Sequence, residues 1–253
     1  MTKTIVAVLA LLLIPVCAFA VDGVVLVNHA TVLAFGGYPY TITQPGSYRL
    51  SGNLAVPAGA NGILIATDNV TIDLNGFAIT GSSVAPGHGI VAGTDVPVQG
   101  YYNITVRNGT IERMGQDGIH LLGDNILVEY VRARNNALSG IVVRSPGNVN
   151  PVPGMIPQRS LILRHNTIGH HSSYGFKTFG GLITENTVTD CVPGIAVLAG
   201  GGVVTRNLVS DSSTGLLLVP SVSYFGNTLT GNTANVIGGA NMGQNLCDAA
   251  PCP

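Results

Sequence analysis

The sequence predicts an all-β chain built as a solenoid of short strands, and three observations lead there. Asparagines recur at Asn166, Asn186, Asn207 and Asn227, at spacings of 20, 21 and 20 residues. A glycine followed by an apolar residue recurs in step, at Gly118-Ile119, Gly140-Ile141, Gly175-Phe176, Gly194-Ile195 and Gly215-Leu216, with Gly62-Ile63 and Gly89-Ile90 upstream. Only 9% of the residues are charged, against 46% hydrophobic and 34 glycines, so the residues that coat exposed helices are scarce. A unit of about twenty residues cannot bury an apolar face by itself, so the units must stack on one another.

The elements follow in chain order. Lys3, the apolar run Ile5 to Val16 and the small residues around Ala18-Phe19-Ala20 have the three-part pattern of a secretory signal peptide over residues 1–20, cut after Ala20. The run is too short to span a bilayer and no longer one follows, so the mature chain is expected to be exported, to the periplasm or the exterior, without a membrane span. Residues 21–44 precede the repeat and are expected to cap it, with Val24 to Leu33 as a strand or a short helix over the open first coil. The repeat occupies residues 45–237 and a tail over 238–253 closes the other end. Cys247 and Cys252 are expected to form a disulfide in an oxidising compartment, leaving Cys191 reduced and buried near the asparagine row. The tail has no histidine, which argues against zinc, and no metal ligands are assigned.

Within the repeat, an apolar residue, two residues, Asn, one residue and a second apolar residue stand at Leu163 to Ile168, Ile183 to Val188 and Val204 to Val209. Together with the stretch Asn69 to Gly81, this resembles the right-handed parallel β-helix repeat of the pectate-lyase-like superfamily. The resemblance implies a single-stranded right-handed parallel β-helix with terminal caps. Its catalytic patterns are mostly missing: Gly87-His88-Gly89 looks like the Gly-His-Gly of polygalacturonases, but the carboxylate pairs that should precede it are absent, so His88 is assigned to a turn. The recurring asparagines are expected to adopt the left-handed turn conformation and to bond from coil to coil through their amides.

Stacked coils turn every outward position into a row of neighbours. At the outward position two before the ladder position, Asp73, Arg107, Glu129 and Arg164 alternate in sign before giving way to Thr184 and Thr205, as a salt-bridged ladder would. The turn after the following strand carries Arg113, Asn135, His170, Asp190 and Asp211, beside Glu112, Arg134 and His171. His170, Asp190 and Asp211 are therefore candidate binding residues, with Asp190 and Asp211 as oxygen ligands for calcium. Gly231 on the next coil adds no third carboxylate, which favours a merely hydrophilic turn and no cofactor.

Two insertions, Ala92 to Tyr102 and Ser145 to Arg159, leave the solenoid after the Gly-apolar strand, where loops can wall a groove. On that face stand His120, Val142 and Lys177, with Arg144 nearby and Asp117 and Tyr174 just before their glycines; Lys177 is the sole lysine after the leader. His120, Lys177 and Arg144 are the candidate catalytic residues and Asp117 and Tyr174 candidate binding residues, since a cationic row suits an acidic sugar. Isolated polar residues on a solvated face are the competing interpretation. The near-neutral formal charge of -1 shows no basic stripe, so nucleic acid is not the expected partner. The expected partner is a polysaccharide, acidic in character, bound by a carbohydrate-associated surface protein. A lyase or epimerase and a purely structural or adhesion protein are the alternatives.

Overall fold

The computed structural model describes residues 23–95, 98–145, 160–248 and 250–252. The leader expected over 1–20, and all of the insertion expected over 145–159 except Ser145, lie outside the described residues. Strands make up 55% of the described residues and helix 3%, and the strands wind into a parallel β-solenoid of about 9 turns. Among the described residues, no helix is long and apolar enough to cross a membrane.

Each coil lays one short strand on each of three faces. The Gly-apolar strand forms the first face, the strand before the recurrent Asn the second, and the strand after it the third. Phe176–Thr178, Gly181–Thr184 and Thr187–Thr189 thus pair in parallel with Ile195–Val197, Gly202–Thr205 and Leu208–Ser210 of the next coil. In the middle of the solenoid Ile119–Arg134 runs as one continuous strand and meets Ile141–Arg144, Leu161–Arg164 and Thr167–Gly169 on the three faces in turn. Side chains alternate along a strand, so residues of one phase all point inward. Ile119, Ile141, Leu163, Ile183, Val188, Ile195 and Val209 accordingly lie fully buried in one core.

The first-face glycines are required by close approach. A Cβ on Gly118, Gly140 or Gly175 would sit 2.7, 2.7 and 2.4 Å from the carbonyl oxygen of the equivalent glycine one coil on. No side chain fits in that space, which explains why the marker recurs from Gly62 to Gly215.

The asparagine row is a continuous amide ladder along the corner between the second and third faces. The Nδ2 and backbone N–H of Asn186 donate to Asn207 Oδ1, each at 3.0 Å, and Asn207 repeats the pattern on Asn227. Asn227 continues it onto Asn245 at 2.9 Å, one coil beyond the periodic run. The expected left-handed conformation falls one residue earlier: His165, Glu185 and Arg206 have φ of 55°, 58° and 53°, and the asparagines do not have positive φ. The residue in the bend turns the chain, and the following Asn points inward to satisfy the backbone groups that the bend strips of partners.

At the amino end, Val24–Val27 pairs in parallel with Gly46–Leu50 and leads into the helix His29–Ala34, so the expected cap contains both a strand and a helix. Asn28 Oδ1 caps the helix by accepting from Thr31 N–H at 3.0 Å, and Val32 is buried. Parallel pairing begins at Val24–Val27 and, through the first-face strand Tyr40–Ile42, persists to Leu246–Cys247, beyond the 45–237 expected from the repeat. Ala250–Pro251 then folds back antiparallel on Leu246–Cys247, and Cys247 and Cys252 are joined with Cα atoms 4.9 Å apart. Cys191 is free and buried, its Sγ–H directed to Thr189 O at 3.2 Å, and burial pushes its thiol up to about 12.

The ladder yields a quantitative expectation. Asn186→Ala strips donors from Leu163 O, Thr184 O and Asn207 Oδ1 and removes the acceptor used by Asn166, so it should cost about 2–4 kcal/mol in urea unfolding. The exposed neighbour Thr187→Ala should change stability by less than about 0.5 kcal/mol. Equal effects of the two substitutions would show that the ladder is not stabilising.

Candidate functional site

The residue just before each first-face glycine sits at the corner where the third face turns into the first. His88, Asp117, Ser139 and Tyr174 hold this position in four successive coils. Steric need fixes the backbone around His88, because a Cβ on Gly87 would strike Ala60 O at 2.1 Å and one on Gly89 would meet Gly118 O at 2.5 Å. The N–H of His88 is held by Asn61 Oδ1 at 2.8 Å. His88, assigned from sequence to a plain turn, is thereby pressed against Asp117, which is only 5% exposed.

Asp117 is the centre of the cluster. Its Oδ2 lies 2.8 Å from His120 Nδ1 and 3.5 Å from His88 Nδ1, while its Oδ1 accepts the Ser139 N–H at 3.0 Å. Its own N–H donates to His88 Nδ1 at 3.3 Å, and the two imidazole rings lie 4.9 Å apart. Burial alone would push the Asp117 carboxyl up. The hydrogen bonds from His120 and Ser139 and the neighbouring histidines outweigh burial and hold it below its ordinary value. His88 is lowered to about 4 by burial first and by His120 second, against the opposing pull of Asp117. His88 is therefore a neutral imidazole near pH 7, and Asp117 a carboxylate oriented by His120.

The cluster lies in a groove along the first face. One depression of about 380 Å³ is lined by His88, Asp117 and His120 with Thr94, Gln116 and Leu138. A second, of about 170 Å³, shares Asp117, His120 and Leu138 and continues past Arg144, Tyr174 and Lys177. The groove thus brings together His120, Arg144, Lys177, Asp117 and Tyr174. Register places Val142 between His120 and Lys177, so those two side chains stand two coils, or about 10 Å, apart. Val142, expected on the solvated row, is 4% exposed and forms the groove floor. The Lys177 ammonium lies 4.8 Å above the Tyr174 ring and the Arg144 guanidinium 5.8 Å from the Phe179 ring. Part of the first insertion lies against the groove: Thr94–Asp95 pairs antiparallel with Val98–Gln99, and Gly93 and Thr94 line the first depression.

His170, Asp190 and Asp211 are not in this groove. They follow one another at the third-face corner, where Arg113, Asn135, His170, Asp190 and Asp211 all have φ between 50° and 61°. His170 Nδ1 pairs with Asp190 Oδ2 at 2.8 Å, both side chains well exposed, and Asp211 Oδ2 accepts from Thr189 Oγ1 at 3.5 Å. The charged column matches its expected register, with Arg107 opposite both Asp73 and Glu129. Asp73 is approached by Arg49 at 3.8 Å and Arg107 at 3.6 Å, and Glu129 by Arg164 at 2.7 Å. A further feature without a sequence signal is Tyr130, held at φ 54° and stacked 4.8 Å from the His165 ring.

Reading the residue before each glycine as a column would have found His88 beside Asp117. The Gly-His-Gly pattern is defined by neighbours in sequence, whereas the partner of His88 lies one coil away. His171, expected in a hydrophilic turn, is buried, its nitrogens 3.2 and 3.1 Å from Asn136 O and Ala133 O, and burial lowers its pKa.

Neutral burial of His88 and His171 sets a direction for stability against pH. The unfolded chain takes up protons near the ordinary 6.5 and the folded protein resists them, so stability is complete above that value and is lost as pH falls toward 4. For His88 the span from 6.5 to about 4 corresponds to about 3 kcal/mol. Urea unfolding at pH 7.5 and 4.5 should show the decline, and His88→Gln should flatten it. Equal stability at both pH values would exclude neutral burial.

Comparison of the chain with models of known families, with curated proteins and with solved structures returns no match. What the groove can do therefore rests on its own geometry.

Proposed function

We propose that the protein is an exported β-solenoid whose first-face groove binds an acidic polysaccharide. The observation that carries this reading is the convergence of Arg144, Lys177, Tyr174 and His120 on one depression continuous with a larger one. Sugar rings stack on aromatic faces, and the carboxylates of an acidic glycan would take charge-assisted hydrogen bonds from Arg144 and Lys177, each worth about 1.5–3 kcal/mol. An extended chain laid along the solenoid axis would meet a new coil about every 4.8 Å, so it would reach His120 and Lys177 in succession. The joined Cys247 and Cys252 accord with an oxidising destination.

A second reading, a lyase or epimerase, is favoured by the 2.8 Å bond between Asp117 and His120. A carboxylate that orients one ring nitrogen leaves the other free to take the proton beside a sugar carboxylate, once that carboxylate is neutralised by Arg144 or Lys177. Turnover would then depend on His120, whereas binding alone would not.

Both readings are tested on a panel of uronate and neutral polymers. Lys177→Ala is expected to weaken retention of acidic polymers about tenfold and to leave neutral ones unchanged. Unsaturated product that vanishes in His120→Ala would establish the lyase. If acidic and neutral polymers bind equally poorly and Lys177→Ala and His120→Ala match the wild type, the groove has no glycan role.

A further inference from the structure

We propose that His88, Asp117 and His120 form a binding site for one divalent transition-metal cation of the zinc, nickel and copper class. The site goes beyond the glycan reading and does not depend on it, since it uses neither Arg144 nor Lys177.

One ligand atom from each of the three residues lies within 4.8 Å of the others, and among the described residues this is the one group of three His, Cys, Asp or Glu so arranged. Both Nδ1 atoms turn toward the same oxygen, Asp117 Oδ2, at 2.8 and 3.5 Å. Metal–ligand bonds of about 2.0–2.2 Å separate neighbouring ligand atoms by roughly 3–3.5 Å, so a cation would need small side-chain rotations and no backbone movement. Two imidazoles and one carboxylate suit borderline cations, whereas calcium and magnesium require shells made almost wholly of oxygen.

The surroundings are those of a held site. Asp117 Oδ1 is occupied by the Ser139 N–H at 3.0 Å, which fixes the carboxylate and leaves Oδ2 for a cation. The three residues stand on paired coils of the first face, and the depression beside them leaves room for water or another ligand to complete the shell. Coordination uses the Nδ1 lone pairs: the proton that His120 shares with Asp117 moves to Nε2 of the same ring, and the His88 ring gives up the weak 3.3 Å bond from Asp117 N–H. His170 with Asp190, an exposed pair, and His165 with Glu185, a half-buried one, each bring together only two such ligands and serve as internal controls.

The experiment uses untagged protein stripped with chelator and titrated calorimetrically with zinc ion alone. One equivalent per chain is expected, and X-ray absorption of the zinc-loaded wild type should show two imidazoles in the shell. His88→Ala and His120→Ala should each weaken binding by at least about tenfold, while His170→Ala should leave it unchanged. The wild-type absorption spectrum keeps the test decisive even if His88→Ala fails to fold. Absence of saturable binding, a shell with fewer than two imidazoles, or undiminished binding in both folded variants would overturn the site. Glycan retention is measured separately on stripped protein, so failure of one reading leaves the other standing.

Discussion

Stacking of coils through parallel backbone pairing, at a single strand spacing, is the constraint on which everything else depends. Because Ile183 must face Val204 and Val188 must face Val209, any choice at one position is judged against its neighbours above and below. Only a few chemistries can be repeated at that distance. Apolar residues fill the inside, and glycine stands where a Cβ would come within 2.4–2.7 Å of a carbonyl oxygen. Amides stand where backbone donors are buried, and opposite charges alternate on the outside. The columns of the protein belong almost entirely to these four kinds.

The corners explain the polar residues of the interior. Closing a coil requires residues in the left-handed region, and Tyr130, His165, Glu185 and Arg206 occupy it without being glycine. That conformation costs about 1–2 kcal/mol per residue, which the adjoining Asn ladder offsets through several buried hydrogen bonds at each corner. A second internal row follows the third-face corner, where Cys191 N–H donates to Ser212 Oγ and Ser212 N–H to Asn232 Oδ1. The same backbone demand accounts for the mixed polar column from Arg113 to Asp211, all in the left-handed region.

The groove is where the column rule gives way. Val91, His120, Val142 and Lys177 share one register position, yet two are apolar and buried and two are polar and reach the groove. No stacking requirement calls for that alternation. The pairing of a buried carboxylate with two imidazoles is equally unnecessary for closing a corner, since Pro193 fills the same position further along the solenoid. A buried charge is costly unless it is bonded on all sides, and Asp117 is bonded by Ser139, His120 and its approach to His88. Backbone closure therefore does not account for the cluster, which lies beside the groove.

Sequence alone determined the solenoid, its core and the salt-bridged column, because a repeat of about twenty residues admits few ways to bury its apolar face. The spacing of Asn166, Asn186, Asn207 and Asn227 was enough to name the ladder, and the two tail cysteines were close enough to pair. It lost Asn245, because that coil is shorter by two residues and falls out of step. It also placed the bend on the asparagines, because propensity identifies a residue that tolerates the left-handed region and not which neighbour adopts it. Only the tertiary structure decided the site. His120 lies three residues from Asp117 and pairs with it locally, but His88 and Asp117 are 29 residues apart and meet only through the register of paired coils. Periodicity reports what repeats, and a functional cluster is made of the residues that do not.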